Sequence, residues 1–163
     1  MLFRSDGDLV VEEKGIYSVE KFLVARRLMY WQVYLHKTVI AADALLVSIL
    51  KRAREMAKKG STLGSYHPLM HFLFKDVNPD DFNEEDLDLF VLLDDIDIMS
   101  AIKEWQFHED PILSEMSRRL LRRQLPKIRV QLEPIDYGVK QLMRAQAASI
   151  FGESDEAILD YFV

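Results

Sequence analysis

The segment Ala25-Arg26-Arg27-Leu28-Met29-Tyr30-Trp31-Gln32-Val33-Tyr34-Leu35-His36-Lys37 lies at the centre of the stretch that decides the fold of this chain. No Gly or Pro interrupts the sequence from Ile16 to Lys59. Ser18 is a suitable N-cap, and Gly60 directly follows the last turn. These features predict one long helix over residues 18–59, with allowance for a bend.

The first half of this helix is apolar on nearly every side. At 100° per residue, one stripe is apolar except for His36, and the neighbouring stripe carries polar groups at Arg26, Tyr30, Tyr34 and Lys37. A helix that is apolar nearly all round must be covered nearly all round, which a chain of 163 residues does with difficulty. We therefore expect partners, either other subunits or parts of a longer polypeptide.

Composition and charge exclude several classes of protein. The chain has 163 residues, 49% hydrophobic and 29% charged, which predicts one domain over residues 1–163. No apolar run reaches the roughly 18 to 20 residues that span a bilayer, and the N-terminus lacks the pattern of a signal peptide. The absence of cysteine excludes disulfides and thiolate metal sites and fits a cytoplasmic protein. The net charge of −6 argues against nucleic acid as a partner, and we expect no membrane partner.

The charges fall into two blocks. All charged residues from Asp76 to Asp97 are acidic, whereas those from Arg118 to Arg129 are all basic. Such blocks are usually solvated faces. Binding of a phosphate group or an acidic partner surface remains the alternative for the basic block.

The sequence pattern near the N-terminus predicts a small β-ribbon. Leu9 to Val11 and Ile16-Tyr17 flank a turn at Glu13-Lys14-Gly15. A short strand is also predicted over residues 125–132. Caps and turn residues predict further helices over residues 69–74, from Asn83 to Leu92 or Leu93, from Asp94 or Asp95 to Trp105, from Pro111 to Arg123, and from Pro134 to Gly152. The expected fold class is mainly α, a helical bundle built on one long helix with a small N-terminal β-ribbon.

The sequence contains little recognisable catalytic machinery. His67 and His71 are four residues apart, but Pro68 between them and the lack of an adjacent carboxylate pattern argue against a metal site. No nucleophile elbow, P-loop or GxGxxG motif occurs. The acids at residues 94, 95 and 97 suit helix capping better than a cation. We therefore predict no catalytic residue, metal ligand or cofactor on this chain.

Arg26, Tyr30 and Tyr34, with His36 and Lys37, form the one candidate ligand site. Cations and phenols along one helical face suit a ligand with a phosphate and a ring, because Arg presents a fork to phosphate oxygens and Tyr a flat apolar surface with a hydroxyl at its tip. Packing of the same residues in a core with salt bridges is the alternative, and the spacing leaves both open.

The run from Arg26 to Lys37, with Arg, seven residues, Tyr, one residue, His and Lys, resembles the long helix that follows the metal centre in HD-domain deoxynucleoside triphosphate triphosphohydrolases. Segments 13–18, 93–97 and 122–127 are similar to flanking segments of that family in the same order. This resemblance implies a mainly helical fold and hydrolysis of a nucleoside triphosphate to nucleoside and tripolyphosphate. It also implies divalent metal held by two His and two Asp, and assembly as a dimer or tetramer.

The resemblance also implies residue roles. Arg26 would approach the substrate phosphates and Tyr34 would pack on the sugar. Tyr30, which lies between them on the same helical face, is predicted to belong to the substrate site as well. A second set falls where regulated members bind an activating nucleotide between subunits: Lys14, His36, Lys37 and Arg123.

Several departures from the family pattern shape the functional hypothesis. No histidine is followed by Asp, and the metal-binding segments that precede this region in the family are absent. Glu12 stands where regulated members have a basic residue, and Leu35 replaces a polar residue beside the sugar. We therefore expect the helical substrate-wall and oligomerisation portion of a longer HD-family phosphohydrolase, inactive without the divalent metal of its parent. The alternative is a non-catalytic helical interaction or dimerisation module.

Overall fold

The structure, a computed structural model, describes residues 2–5, 7–64, 66–76, 78, 80–128, 132–151 and 161. Its elements, in chain order, are strands β1 (Leu2–Ser5) and β2 (Asp8–Val11), a 3-10 helix (Glu13–Gly15), helix α1 (Ile16–Met29), a π-helical segment (Tyr30–Tyr34), and helices α2 (Lys37–Lys58), α3 (His67–Phe74), α4 (Glu84–Val91), α5 (Asp95–Trp105), α6 (Pro111–Leu121) and α7 (Tyr137–Phe151). The predicted mainly α fold with an N-terminal β-ribbon is confirmed.

The chain divides into two compact units, which we call the N-terminal unit (Met1–Ile40) and the C-terminal unit (Ala41–Val163). The organisation of residues 1–163 as one domain stays a prediction.

The helix predicted over residues 18–59 is divided at its centre. The N–H of Leu35 donates to the carbonyl of Tyr30 at 2.8 Å, which closes a π-helical turn, and Leu35 leaves the helical conformation with φ −94° and ψ 14°. Residues 30–34 are mostly aromatic or β-branched, and such residues favour the α-helix less than straight-chain residues do. Because no Gly, Pro or cap marks the break, the sequence pattern alone runs through it.

No single helix among the described residues is long and apolar enough to cross a bilayer. The helical residues 13–34 and 37–58 are long and apolar enough only when they are taken together as a bent pair. This result rests on length and composition alone.

The β-ribbon pairs different residues from those predicted. β1 and β2 are antiparallel, with Leu2 opposite Val11 and Ser5 opposite Asp8. Gly7 adopts φ +94° in the connecting turn, a conformation that glycine reaches without strain. The predicted second strand, residues 16–17, instead begins α1. The Asp6-Gly7 dipeptide is a hairpin signal that the prediction overlooked.

Local capping signals are confirmed at three helices. The side chain of Asn83 accepts the N–H of Asp86 at 3.0 Å, and the side chain of Asp94 accepts the N–H of Ile96 at 2.8 Å. Asp110 caps α6, whose first residue is a proline. The acids at residues 94 and 97 are therefore used in a capping box.

Two predictions near the C-terminus are wrong. Residues 125–128 form no strand, and residues 129–131 lie outside the described residues. Helix α7 begins at Tyr137 rather than Pro134, because the side chain of Asp136 accepts the N–H of Gly138 at 2.8 Å and caps the helix there. The predicted end at Gly152 lies outside the described residues.

The C-terminal unit is built around a core to which α2, α3, α5 and α6 contribute. Trp105 is buried, and its indole N–H donates to the carbonyl of Leu63 at 2.8 Å, which fixes the loop after α2. Other buried side chains in this cluster include Ile49, Ala53, Leu69, Leu73, Ile102, Ile112, Leu113 and Met116. The second half of the long predicted helix therefore faces a core, as its periodicity indicates.

A buried carboxylate joins α3 to α4. Asp86 is fully buried and accepts from Lys75 Nζ at 2.6 and 2.8 Å, from the N–H of Asn83 at 3.1 Å, and lies 2.6 Å from Nε2 of His71. The hydrogen bonds from Lys75 and then from His71 lower the pKa of Asp86 from 3.8 to about 2. His71 is thus engaged in a hydrogen bond between helices.

We predict that Ile49→Ala lowers the free energy of unfolding by about 2–5 kcal/mol, because it leaves a cavity in a fully buried position. Urea unfolding followed by circular dichroism measures the change. Val47→Ala, at a position 49% exposed on the same helix, is the control, for which we expect a change below about 0.5 kcal/mol. Equal effects of the two substitutions would contradict the assigned core.

We predict that the stability difference between the native chain and Asp86→Asn depends on pH. Because the folded state lowers the pKa of Asp86 from 3.8 to about 2, its stabilisation is complete above pH 3.8 and is lost as the pH falls toward 2. The difference in unfolding free energy should therefore be constant near neutral pH and shrink between pH 3.8 and 2. Urea titrations across this range test this, with exposed Asp88→Asn as the control. A difference that is independent of pH would refute the proposed role of Asp86.

Candidate functional site

Arg26, Tyr30 and Tyr34 form a row where α1 passes into the π-helical segment. The guanidinium carbon of Arg26 lies 5.8 Å from the ring centroid of Tyr30. The rings of Tyr30 and Tyr34 are 5.1 Å apart and tilted by 48°. The spacing of four residues therefore places the three side chains side by side, and the cation is held against an aromatic face.

An open groove runs beside this row. Its volume is about 400 Å³, and its lining consists of Phe22, Ala25, Arg26, Met29, Tyr30 and Tyr34. Tyr34 is 53% exposed, and Arg26 is exposed and makes no ion pair with any described residue. Within the described residues these side chains are therefore exposed rather than packed in a core, and their role as a ligand site stays a prediction.

The π-helical segment limits what the sequence could predict about the site. One extra residue in a helical turn shifts everything after it by about 100° relative to an uninterrupted α-helix. The two predicted stripes, one from Arg26 to Lys37 and one from Phe22 to His36, therefore hold only as far as Tyr34. π-Helical turns are also frequent at functional sites, so this irregularity coincides with the candidate residues rather than with the scaffold.

The predicted regulatory residues lie in both units. Lys14 is exposed, with Nζ 3.5 Å from the carboxylate of Glu12, so that the acid neutralises the cation beside it. Nδ1 of His36 accepts the N–H of Thr38 at 3.3 Å. Lys37 begins α2 in the N-terminal unit. Arg123 follows α6 in the C-terminal unit with φ 56°, a left-handed conformation uncommon for residues other than glycine. Their joint action stays a prediction.

The basic block is partly neutralised. Glu115 accepts from Arg119 and from Arg118, each at 2.8 Å, and these hydrogen bonds, that from Arg119 first, lower the pKa of Glu115. The exposed cations that remain in the described part of the block are Arg122, Arg123 and Lys127. Two of the five described cations of the basic block are thus paired within α6 itself.

A cavity that the sequence analysis did not identify lies in the C-terminal unit. Its volume is about 490 Å³, and the loop at residues 61–64 borders it together with Glu104, His108 and Glu109. Gly64 has φ +43°, and a Cβ there would collide with the carboxylate of Glu104. Two carboxylates at the rim disfavour phosphate, so the cavity does not suit the predicted nucleotide. The glycines at the two ends of this loop are the sequence feature that could have indicated the cavity.

A metal centre needs several His, Asp or Glu side chains close together. No three side chains of His, Asp or Glu come together among the described residues in an arrangement that would hold a metal ion. His67 and His71 do not form such a group, and Asp86 is already bound by Lys75. The described residues therefore do not fit the two-His, two-Asp centre that the family resemblance implies.

Comparison with known proteins connects this geometry to a family. A family model described as an HD associated region matches residues 1–65. The uncharacterized protein YwfO of Bacillus subtilis (strain 168) is 33% identical over 122 residues, which cover 74% of this chain and 26% of that protein. The crystal structure of a phosphohydrolase from Bacteroides thetaiotaomicron VPI-5482 matches with a TM-score of 0.92 and 42% identity.

The structural match covers 99% of this chain and 41% of the Bacteroides protein. The chain thus spans about a quarter of the length of the Bacillus relative and about two-fifths of that of the Bacteroides relative. The matches agree with the resemblance that rests on residues 26–37: the first 65 residues match the HD-associated region, and the fold of the chain matches part of a phosphohydrolase structure.

Proposed function

We propose that this chain forms the helical wall of a nucleotide site in an HD-family phosphohydrolase. The row of Arg26, Tyr30 and Tyr34 beside an open groove of about 400 Å³ is the observation that carries the proposal. Other polypeptide of the enzyme supplies the metal chemistry, and this chain holds the substrate. The matches to an HD-associated region and to part of a phosphohydrolase structure support a phosphohydrolase, and the groove supports the nucleotide.

Arg26 is suited to bind the substrate phosphates. Its guanidinium donates a planar fork of N–H groups, which matches two phosphate oxygens at once. The contact with the ring of Tyr30 at 5.8 Å restrains the side chain before the ligand arrives, so less conformational entropy is lost on binding. No described carboxylate competes with the phosphate for this cation.

The tyrosine pair is suited to the sugar and base. Tyr34 presents an exposed ring to a sugar face, and Phe22 and Met29 add apolar surface to the groove. Pockets for small molecules enclose about 300–1,000 Å³, so a groove of about 400 Å³ with one open side is one wall of such a site. The deoxynucleoside triphosphate itself is proposed from the family. Leu35 offers no hydrogen bond, so selection of the deoxyribose depends on other residues.

The apolar surface of the N-terminal unit supports assembly as a homo-oligomer, a dimer or tetramer. Apart from Gly15, no residue with described burial in residues 7–40 is buried. Large side chains such as Phe22, Leu28 and Trp31 are exposed instead. Apolar surface of this extent marks an interface, so we propose that further polypeptide or a second copy covers it.

A regulatory nucleotide site between subunits is a further part of the proposal. It would use Lys14, His36, Lys37 and Arg123. Three of these are cations at exposed positions, and His36 keeps its Nε2 available because Nδ1 accepts the N–H of Thr38. The pairing of Lys14 with Glu12 weakens its attraction for phosphate.

The exposed apolar residues also favour a second candidate, a non-catalytic interaction module. In that case α1 binds a partner helix, and Arg26 has no role in turnover. Kinetics of Arg26 variants separate the two candidates, because only the substrate wall requires the guanidinium.

In the full-length enzyme, we predict that Arg26→Ala lowers kcat/KM for a deoxynucleoside triphosphate by about 10- to 100-fold, the loss expected from removing charge-assisted hydrogen bonds to phosphate. The metal content should not change, which elemental analysis checks. Arg27→Ala is the matched control, because Arg27 is an adjacent exposed arginine outside the groove. Unaltered kinetics for Arg26→Ala would exclude the substrate wall.

We predict that Tyr34→Ala raises KM several-fold in the same enzyme, whereas Tyr34→Phe retains most of the affinity, because the ring face rather than the hydroxyl packs on the sugar. Neither substitution should change the free energy of unfolding by more than about 0.5 kcal/mol, since Tyr34 is exposed. Equal KM values for native enzyme and Tyr34→Ala would contradict this placement of the sugar.

A further inference from the structure

We infer that the cavity of about 490 Å³ in the C-terminal unit is a binding site for a small linear amine that carries two ammonium groups. This inference goes beyond the proposed nucleotide wall and does not depend on it, because the cavity shares no residue with the groove beside Arg26. The volume of the cavity falls within the range of about 300–1,000 Å³ that is usual for small-molecule sites.

The charge of the cavity selects a positive ligand. Glu104 and Glu109 both border it and are exposed, and neither forms an ion pair with another described residue. Glu104 and Trp105 are the last two residues of α5, so the negative end of the helix dipole lies beside the same carboxylate. Lys103 is in this last turn as well but does not line the cavity. No Lys or Arg is among the described residues of the lining, so a bound cation would offset charge that these residues leave unpaired.

The arrangement of the acids favours an extended cation over a metal ion. Glu104, His108 and Glu109 line one cavity, yet they do not come together as a group that would hold a metal ion. Two carboxylates that do not converge with the histidine on one point are matched by two positive groups joined by a chain. Ser61 and Thr62 also line the cavity, and hydroxyl oxygens can accept the remaining N–H groups of an ammonium.

The lining also offers apolar surface for the chain between the two charges. Phe107 borders the cavity and is 82% exposed, and Leu63 and Trp105 contribute further apolar atoms. Methylene groups pack on such surface while their charged ends stay with polar partners, as the stem of a lysine side chain does. The face of an exposed aromatic ring also attracts an ammonium group. An amine with an aliphatic chain therefore fits this lining better than an inorganic cation.

Two walls of the cavity are fixed before any ligand arrives. The indole N–H of Trp105 donates to the carbonyl of Leu63 at 2.8 Å, which holds the loop at residues 61–64 against the end of α5. Nδ1 of His108 accepts the N–H of Asp110 at 2.9 Å, which orients the imidazole ring. A preorganised site binds its ligand with a smaller loss of conformational entropy.

Gly64 keeps room for one of the two carboxylates. Its φ of +43° lies in the left-handed region that favours glycine. A Cβ at this position would collide with the carboxylate of Glu104. Any side chain at residue 64 would therefore displace this charged group, whereas glycine leaves it against the loop that borders the cavity.

Calorimetric titration of the full chain with putrescine, a four-carbon diamine, tests the inference at about 0.15 M salt. We predict that Glu104→Gln and Glu109→Gln each weaken the affinity by about tenfold, because each removes a charge-assisted hydrogen bond. Asp95→Asn is the matched control, since it removes an equal charge from an exposed position on the same helix outside the cavity, and it should leave the affinity unchanged. Circular dichroism verifies that each variant is folded.

A second variant and two further ligands sharpen the test. Thr62→Lys introduces a cation at an exposed position of the lining without altering either acid, and it should abolish binding. Butylamine, which has the same chain but one ammonium group, should bind about tenfold more weakly than putrescine. A Lys-Lys dipeptide blocked at both ends presents the same two charges on a peptide and should also bind more weakly.

The inference is wrong if the native chain binds no putrescine or if both glutamine variants bind it as tightly as the native chain does. An equal loss of affinity in Asp95→Asn would show diffuse attraction to an acidic chain and overturn the site. Tighter binding of the dipeptide would overturn the free amine in favour of a basic protein segment. Equal affinity for butylamine would contradict the requirement for two ammonium groups.

Discussion

The ion pair between Arg52 and Asp110 is the interaction on which the C-terminal unit depends. Arg52 is 4% exposed and donates from Nε and Nη2 to the two carboxylate oxygens of Asp110, at 3.1 and 2.7 Å. Asp110 also accepts the N–H of Leu113 at 2.7 Å. The carboxylate of Asp110 therefore caps the start of α6 and also fixes this helix to α2. The two paired residues, Arg52 and Asp110, are 58 positions apart in sequence. Burial tends to raise the pKa of Asp110, but the hydrogen bonds from Arg52 and Leu113 outweigh burial and lower it.

The same guanidinium organises the groups around it. Arg52 donates to Glu55 at 2.9 Å, and Glu55 accepts the hydroxyl of Tyr161 at 2.6 Å. The ring of Tyr161 lies 5.6 Å from the guanidinium carbon, and burial raises the pKa of this phenol. Since one face and all three nitrogens of the Arg52 group are in use, the buried cation is compensated from several elements rather than from one. Among the described residues of the N-terminal unit no comparable buried ion pair occurs, and Gly15 is the only one with described burial that is buried.

How far the sequence predicts this molecule depends on the range of each interaction. Caps at Asn83, Asp94 and Asp110 involve residues two or three positions apart, and the sequence predicts all three. The pairing of Arg52 with Asp110 has no local signature, so only the folded chain reveals it. The π-helical turn leaves the periodicity on its N-terminal side unchanged, so the spacing that groups Arg26, Tyr30 and Tyr34 holds in the structure. The same spacing also assigns His36 and Lys37 to this side of the helix, but both residues follow the turn, where the α-helical periodicity no longer applies. Their roles came from the family resemblance, and the exposed groove supports the role of the first three.

The π-helical turn has a consequence for how this segment tolerates change. It holds one residue more than an α-helical turn needs, so loss of a single residue between positions 30 and 34 would convert it to regular helix. Such a deletion would turn every later side chain of the helix by about 100° and shorten the path by about 1.5 Å. Substitutions at these positions alter one side chain, whereas a deletion redirects all those that follow. Length, more than residue identity, is therefore the property of this short stretch that relatives with the same geometry must share.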